Sequence, residues 1–102
     1  MKISQVKEIL NISDIKALAA SNASLFHAAV RAALTGRPQQ IDIDLSETDF
    51  MDCGGMGALI AVRNSARRCH AGAVVRLLNP GLSARSLLKL TGMESFFSIE
   101  AI

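Results

Sequence analysis

The stretch "SETDFMDCGGMGALIAV", residues 46–62, decides how this chain is read. Asp49, Asp52, Cys53 and three glycines fall within residues 49–57, and the sequence then turns plainly helical. Just upstream, "QIDIDLS" alternates Ile41, Ile43 and Leu45 against Asp42 and Asp44, the period of a strand with one buried face. Strand, glycine-rich turn and helix together make a β–loop–α unit. In an open parallel sheet, loops at the carboxyl ends of strands are where ligands and partners meet the fold. The unpaired N–H groups and partial positive charge at a helix start favour anions, thiolates and phosphates there. Glycine lets the backbone turn sharply and lets another surface come close.

Working outward, residues 3–12 mix apolar and polar positions and predict one or two short strands. A helix follows, with Ser21 or Asn22 as N-cap and Leu25, Phe26, Ala29, Val30, Ala33 and Leu34 at helical spacing. Gly36 and Pro38 stop it. After the 41–45 strand, residues 56–69 read as a second helix ending near Arg67, Arg68 and His70, with Gly72 beyond. "AVVRLLNP" predicts another strand closed by Asn79-Pro80. "SARSLLKLTG" predicts a third helix capped by Ser83, with Gly92 just past its end. "MESFFSI" predicts a turn and a last short strand. The order β-α-β-α-β-α-β implies an α/β fold: a small, mainly parallel or mixed sheet with helices on one face. The polar second face of the 41–45 strand argues against helices on both sides.

The 102 residues suffice for a single domain with one modest core. Half are apolar, but the only aromatics are four phenylalanines, so Ala, Leu and Ile carry the packing. The net charge of +2 is too small to announce nucleic acid or an anionic membrane, and exposed aromatics for stacking on single strands are lacking. No apolar run approaches the roughly 18–20 residues needed to span a bilayer, and no export signal is evident. Cys53 and Cys69, without metal-ligand spacing, read as reduced thiols in a cytoplasm.

Sharper chemistries at residues 49–57 fail on composition. A Walker loop needs Lys-Ser/Thr after its last glycine, but Ala58 and Leu59 follow Gly57. A dinucleotide fingerprint from Gly55 needs glycine where Ile60 stands. A cysteine phosphatase needs arginine where Leu59 stands, or Val75 if counted from Cys69. For a Cys–His nucleophile, His70 lies at the far end of the helix that Cys53 begins, roughly 25 Å away, whereas His27 stays open. Asp42, Asp44, Glu47, Asp49 and Asp52 suggest either a magnesium site or, more simply, solvated carboxylates. Arg63 and Arg67, one turn apart, suggest a docking patch, although Arg67 and Arg68 also complement a helix C-terminus. Neither an enzyme nor a cofactor is expected.

Three segments in this order and spacing, "DLSETDFMDCGGMGAL", "LLNPGLSARSLLKLTGM" and "FFSI", carry a family likeness, and "ALAASNASL" fits it too. Over residues 17–99 the chain resembles the STAS domain of bacterial anti-sigma factor antagonists. The resemblance implies a single STAS domain over residues 1–102 that acts as a protein-interaction module. Its partner would be an anti-sigma factor or related kinase-like ATP-binding protein. Docking would use Ser21, Asn22, Asp52, Cys53, Gly54, Gly55 and Met56, with Arg63 further along. Asp52 would fix the loop and present charge, and Gly54 and Gly55 would permit close approach.

In such antagonists a Ser or Thr after the motif's Asp is phosphorylated, which breaks the complex. Here that position is Cys53 and the next is Gly54, so no hydroxyl remains there. The resemblance then implies constitutive binding, regulation on the partner, or a response to thiol oxidation, in that order. It also implies that the usual C-terminal helix is lacking, leaving apolar surface for a homodimer or another subunit to cover. The Asp-x-Gly-Gly form is similar to the STAS subunit of bacterial phospholipid-transport ATPase complexes, which is the alternative reading. A nucleotide-binding module is a third, without a dedicated phosphate lysine.

Overall fold

The computed structural model describes residues 1–102. Five strands form one sheet in the order β1-β2-β4-β6-β7: β1 (Lys2–Val6), β2 (Ile9–Ser13), β4 (Gln40–Asp44), β6 (Val74–Leu78) and β7 (Ser98–Glu100). Only β1 is antiparallel, joined to β2 by a tight turn in which Lys7 adopts φ 55°. The remaining pairings are parallel, so the sheet is mixed. Three helices link the parallel strands: α1 (Ala23–Ala33), α2 (Cys53–Cys69) and α3 (Leu82–Thr91).

The alternation of side chains along each strand sorts the sheet into two faces. Leu10 and Ile12, Ile41 and Ile43, and Val75 and Leu77 project to one face and are buried. The helices cover that face with Phe26 and Val30 from α1, Met56, Leu59 and Val62 from α2, and Leu88 from α3. Helix α2 lies centrally, flanked by the other two. Full burial of Leu59 and Val62 stabilises the fold by about 1.5–3 kcal/mol per side chain.

No helix covers the second face, yet its carboxylates are not simply solvated. The Arg76 guanidinium donates two bonds of 2.9 Å to Asp42 and one of 3.0 Å to Glu100. Gln40 donates a further bond to Asp42 at 2.9 Å. Asp42 is therefore buried beneath its own partners, which corrects the expectation of a freely hydrated aspartate.

Local capping shifts two helix boundaries. Helix α2 begins at Cys53 rather than residue 56, because Asp52 caps it. Helix α3 begins at Leu82 after Gly81, so Ser83 lies inside the first turn and is not the cap. Gly92 adopts φ 69° past the end of α3, the left-handed position anticipated for it.

Candidate functional site

A second, two-stranded sheet builds the site. Strand β3 (Ala17–Leu18) runs parallel to β5 (Phe50–Met51), with Ala17 opposite Phe50 and Leu18 opposite Met51. The Asp49 N–H donates to Lys16 O at 2.9 Å, and the Thr48 hydroxyl donates to Ile15 O at 2.7 Å. These bonds tie the segment leading into α1 to the segment leading into α2, at the carboxyl edge of the main sheet.

Asp52 then joins the two helix starts. Its Oδ1 accepts from the Gly55 N–H at 3.0 Å, as an N-cap, and from the Ala20 N–H at 3.0 Å. The Gly55 N–H, with help from those of Ala20 and Gly54, holds the carboxyl below the usual carboxylate range. Asn22 performs the corresponding task across the gap without capping α1 through its side chain. Its Oδ1 accepts from the Ala19 N–H and its Nδ2 donates to Ala17 O, both at 2.8 Å. The turn at residues 19–22 is thereby locked.

The glycine pair has an internal reason. A Cβ on Gly55 would stand 1.9 Å from Leu18 O, and one on Gly54 would stand 2.5 Å from Ala20 Cα. Both are tighter than any stable contact. The glycines admit the chain's own 18–20 segment, which alters their expected part as a passage for a partner. Gly57, by contrast, has open space where a Cβ would project.

The expected site residues consequently divide. Ser21 and Cys53 are exposed, each next in sequence to one end of the Ala20–Asp52 bond, whereas Asn22 and Gly54 are half-buried. Met56 is only 3% exposed and packs into the core, so it leaves the docking surface. Arg63 stands ten residues along α2 from Cys53, about 15 Å toward the opposite edge of the sheet. Its guanidinium lies 4.8 Å from the centre of the Phe96 ring. Leu25, expected on the apolar face of the first helix, is instead 76% exposed, and it flanks the clamp with Phe50, 53% exposed, which the sequence did not mark. Between α1 and the 14–17 segment lies a shallow cleft of about 430 Å³, lined by Ile15, Leu25 and Phe26 among others.

No catalytic pairing forms at Cys53. His27 Nε2 is 3.0 Å from the Ser65 hydroxyl within the α1–α2 interface, and Ser65 lies about 18 Å along α2 from Cys53. The alternative left open for His27 is thus closed. Both cysteines are free and exposed, at opposite ends of α2. The carboxylates do not converge: Asp42 is committed to Arg76, and Asp44 accepts from the Ser46 N–H at 3.0 Å. No helix is long and apolar enough to cross a membrane.

Comparison with known proteins places these features in context. The family model for the STAS domain matches residues 2–101. No curated protein matches the chain significantly in sequence. Among solved structures, TM1081 of Thermotoga maritima, described as a candidate anti-sigma factor antagonist, superposes with a TM-score of 0.85 at 22% identity. That match covers 99% of this chain and 85% of the other. The Bacillus anti-sigma factor antagonist SpoIIAA, unphosphorylated, gives 0.82 at 16% identity, covering 99% and 86%. An anti-sigma factor antagonist from Mycobacterium paratuberculosis gives 0.82 at 19%, covering 96% and 81%. At such identities the likeness establishes the fold.

Proposed function

Because this chain belongs to the STAS domain family, we infer that it is a protein-docking module of the anti-sigma factor antagonist kind. One observation carries the reading. Asp52 clamps the approach to α1 against the start of α2, and the surface it fixes exposes Ser21 and Cys53 rather than a pocket with catalytic groups. A surface fixed before binding loses little conformational freedom on complex formation, which favours affinity. Leu25 and Phe50 supply exposed apolar contact area beside it. The partner is an anti-sigma factor or a related protein with a kinase-like ATP-binding fold, and the setting is cytoplasmic. The domain itself performs no catalysis.

Cys53 occupies the first turn of α2, and the family resemblance assigns to it the position of the phosphorylated hydroxyl of anti-sigma factor antagonists. Without that hydroxyl, control by Ser/Thr phosphorylation at this point is lost and docking is constitutive or governed by the partner. A phosphate there would have added about −1.5 to −2 charges to the middle of the contact.

The test is affinity capture from native lysate with the wild-type chain and a Cys53→Glu variant, read by mass spectrometry. An ATP-binding anti-sigma factor retained by the first and lost by the second supports the assignment. A partner retained equally by both places docking elsewhere. Recovery of a membrane transport ATPase identifies the phospholipid-transport alternative. The Gly54-Gly55 pair does not favour that alternative by itself, since both glycines answer to the chain's own Leu18 and Ala20.

A further inference from the structure

The small net charge conceals a segregation. Asp14, Glu47, Asp49 and Asp52 lie spread along the carboxyl edge of the sheet, around the docking surface, with Lys2 and Lys16 as the nearby cations. The opposite edge is basic: Lys7, Arg31, Arg37, Arg67 and Arg68 are all exposed there, with Glu8 and Glu94 as the nearby acids. Contacts make this edge one surface. Gln5 donates to both Lys7 O and Gly36 O, which joins the β1–β2 turn to the end of α1. Arg31 and Arg68 line one cleft between α1 and α2. Arg67 donates to Ala73 O at 3.2 Å and shares a second cleft with Val74 and Phe96.

Exposed apolar side chains lie along the same rim. Val6, Ile9, Gln40 and Val74 sit in register across the sheet at this edge, with Val6 60% and Val74 47% exposed. Phe96, beside Val74, is 41% exposed. Helix-dipole complementarity accounts for Arg31, Arg67 and Arg68 taken singly, at the ends of α1 and α2. It does not account for Lys7 and Arg37, which sit in turns at φ 55° and 49°, or for the apolar rim.

We propose that this basic edge, Lys7, Arg31, Arg37 and Arg68 behind a rim of Val6, Val74 and Phe96, adsorbs to an anionic lipid surface. Cations near such a surface are attracted to it, while apolar side chains enter the headgroup region. The apolar rim favours lipid over nucleic acid, whose phosphates offer it nothing. The chain lies on the membrane without spanning it and points its docking surface away. This adsorption does not depend on the identity of the docking partner.

The experiment is co-sedimentation of the intact chain with phosphatidylcholine vesicles, with and without phosphatidylglycerol, at physiological ionic strength. Binding is expected only with phosphatidylglycerol. Arg31→Glu/Arg68→Glu should weaken it by about 30-fold or more, whereas Lys2→Glu/Lys16→Glu, an equal change in net charge at the other edge, should retain it. Circular dichroism verifies folding. Should the first pair fail to fold, Lys7→Asn/Arg37→Asn makes the same test, since asparagine tolerates positive φ. Equal loss in both edges' variants would reduce the effect to net charge and overturn the proposal. So would tighter binding to a DNA duplex than to the vesicles, or vesicle affinity unchanged by Val6→Ser/Val74→Ser.

Discussion

Gly55→Ala is the sharpest perturbation of the docking surface, because it adds one carbon where backbone already stands. The new Cβ would lie 1.9 Å from Leu18 O and 2.5 Å from Leu18 C. A tolerable carbon–oxygen contact is about 3.3 Å, so β3 must withdraw from α2 by more than an ångström. Backbone, unlike a side chain, has no rotamer into which to retreat. Withdrawal strains the Asp52 N–H bond to Leu18 O and the Asp52 bond to the Ala20 N–H. Overpacking of this kind costs about 1–3 kcal/mol, and each strained backbone bond adds about 1 kcal/mol. Replacing glycine by alanine in a helix returns about 1 kcal/mol. The net loss is about 2–4 kcal/mol. Gly57→Ala, two residues on in the same helix, meets no atom within 4 Å and keeps only the gain. Urea unfolding followed by far-UV circular dichroism reads both. With a slope of about 1–3 kcal/mol per molar urea, Gly55→Ala should lower the midpoint by roughly 1–2 M and Gly57→Ala should raise it slightly. If Gly55→Ala matched wild type in midpoint and slope, the internal reason for the glycine would be refuted. Its conservation of space would then have to be read as serving a partner.

Three further outcomes follow from named contacts. Asp52 is held below its ordinary range chiefly by the Gly55 N–H, and Asp42 chiefly by the bond from Arg76. Depressed carboxyl values mean stability is fully present above about pH 4 and lost as pH falls through the lower folded values. The midpoint should therefore be level near neutrality and decline below about pH 4, less steeply in Asp52→Asn and Asp42→Asn, as denaturant titrations across pH will register. His27→Ala removes the only side-chain partner of the Ser65 hydroxyl, which lies on a residue 8% exposed. Leaving it unsatisfied should cost about 1–3 kcal/mol, recovered largely by the double variant with Ser65→Ala; an uncompensated double variant contradicts the contact. Cys53→Ser, on an exposed first-turn residue, should shift stability by less than about 0.5 kcal/mol. It should also become a substrate for a cognate partner kinase, read by phosphate incorporation and loss of the complex; absence of incorporation speaks against a partner-switching origin.

Much of the secondary structure was legible because its causes are local. Ile41, Ile43 and Leu45 announce a strand by their period, and Phe26, Val30 and Leu34 announce a helix by theirs. Gly92 announces the end of α3 because glycine takes φ 69° at no steric cost. The order of residues around Asp52 likewise carried the STAS family likeness, which the family model over residues 2–101 bears out. Even the bareness of the second sheet face could be read from Asp42 and Asp44.

What only the tertiary structure decided depends on residues distant in sequence. No period reveals a two-residue strand, and β3 and β5 are strands only through the pairing of Ala17 with Phe50 and Leu18 with Met51. That pairing brings Leu18 and Ala20 against Gly55 and Gly54, and thereby turns the glycines from an opening for a partner into an internal fit. Helical phase from a start at Cys53 takes Met56 into the core, and helix length carries Arg63 to the far edge beside Phe96. Alternation told which face Asp42 occupies, but not that Arg76, 34 residues later, would lie opposite and cover it. Local sequence sets backbone preference and side-chain phase; which surfaces meet is set by the packing of segments whose contacts no neighbouring residue encodes.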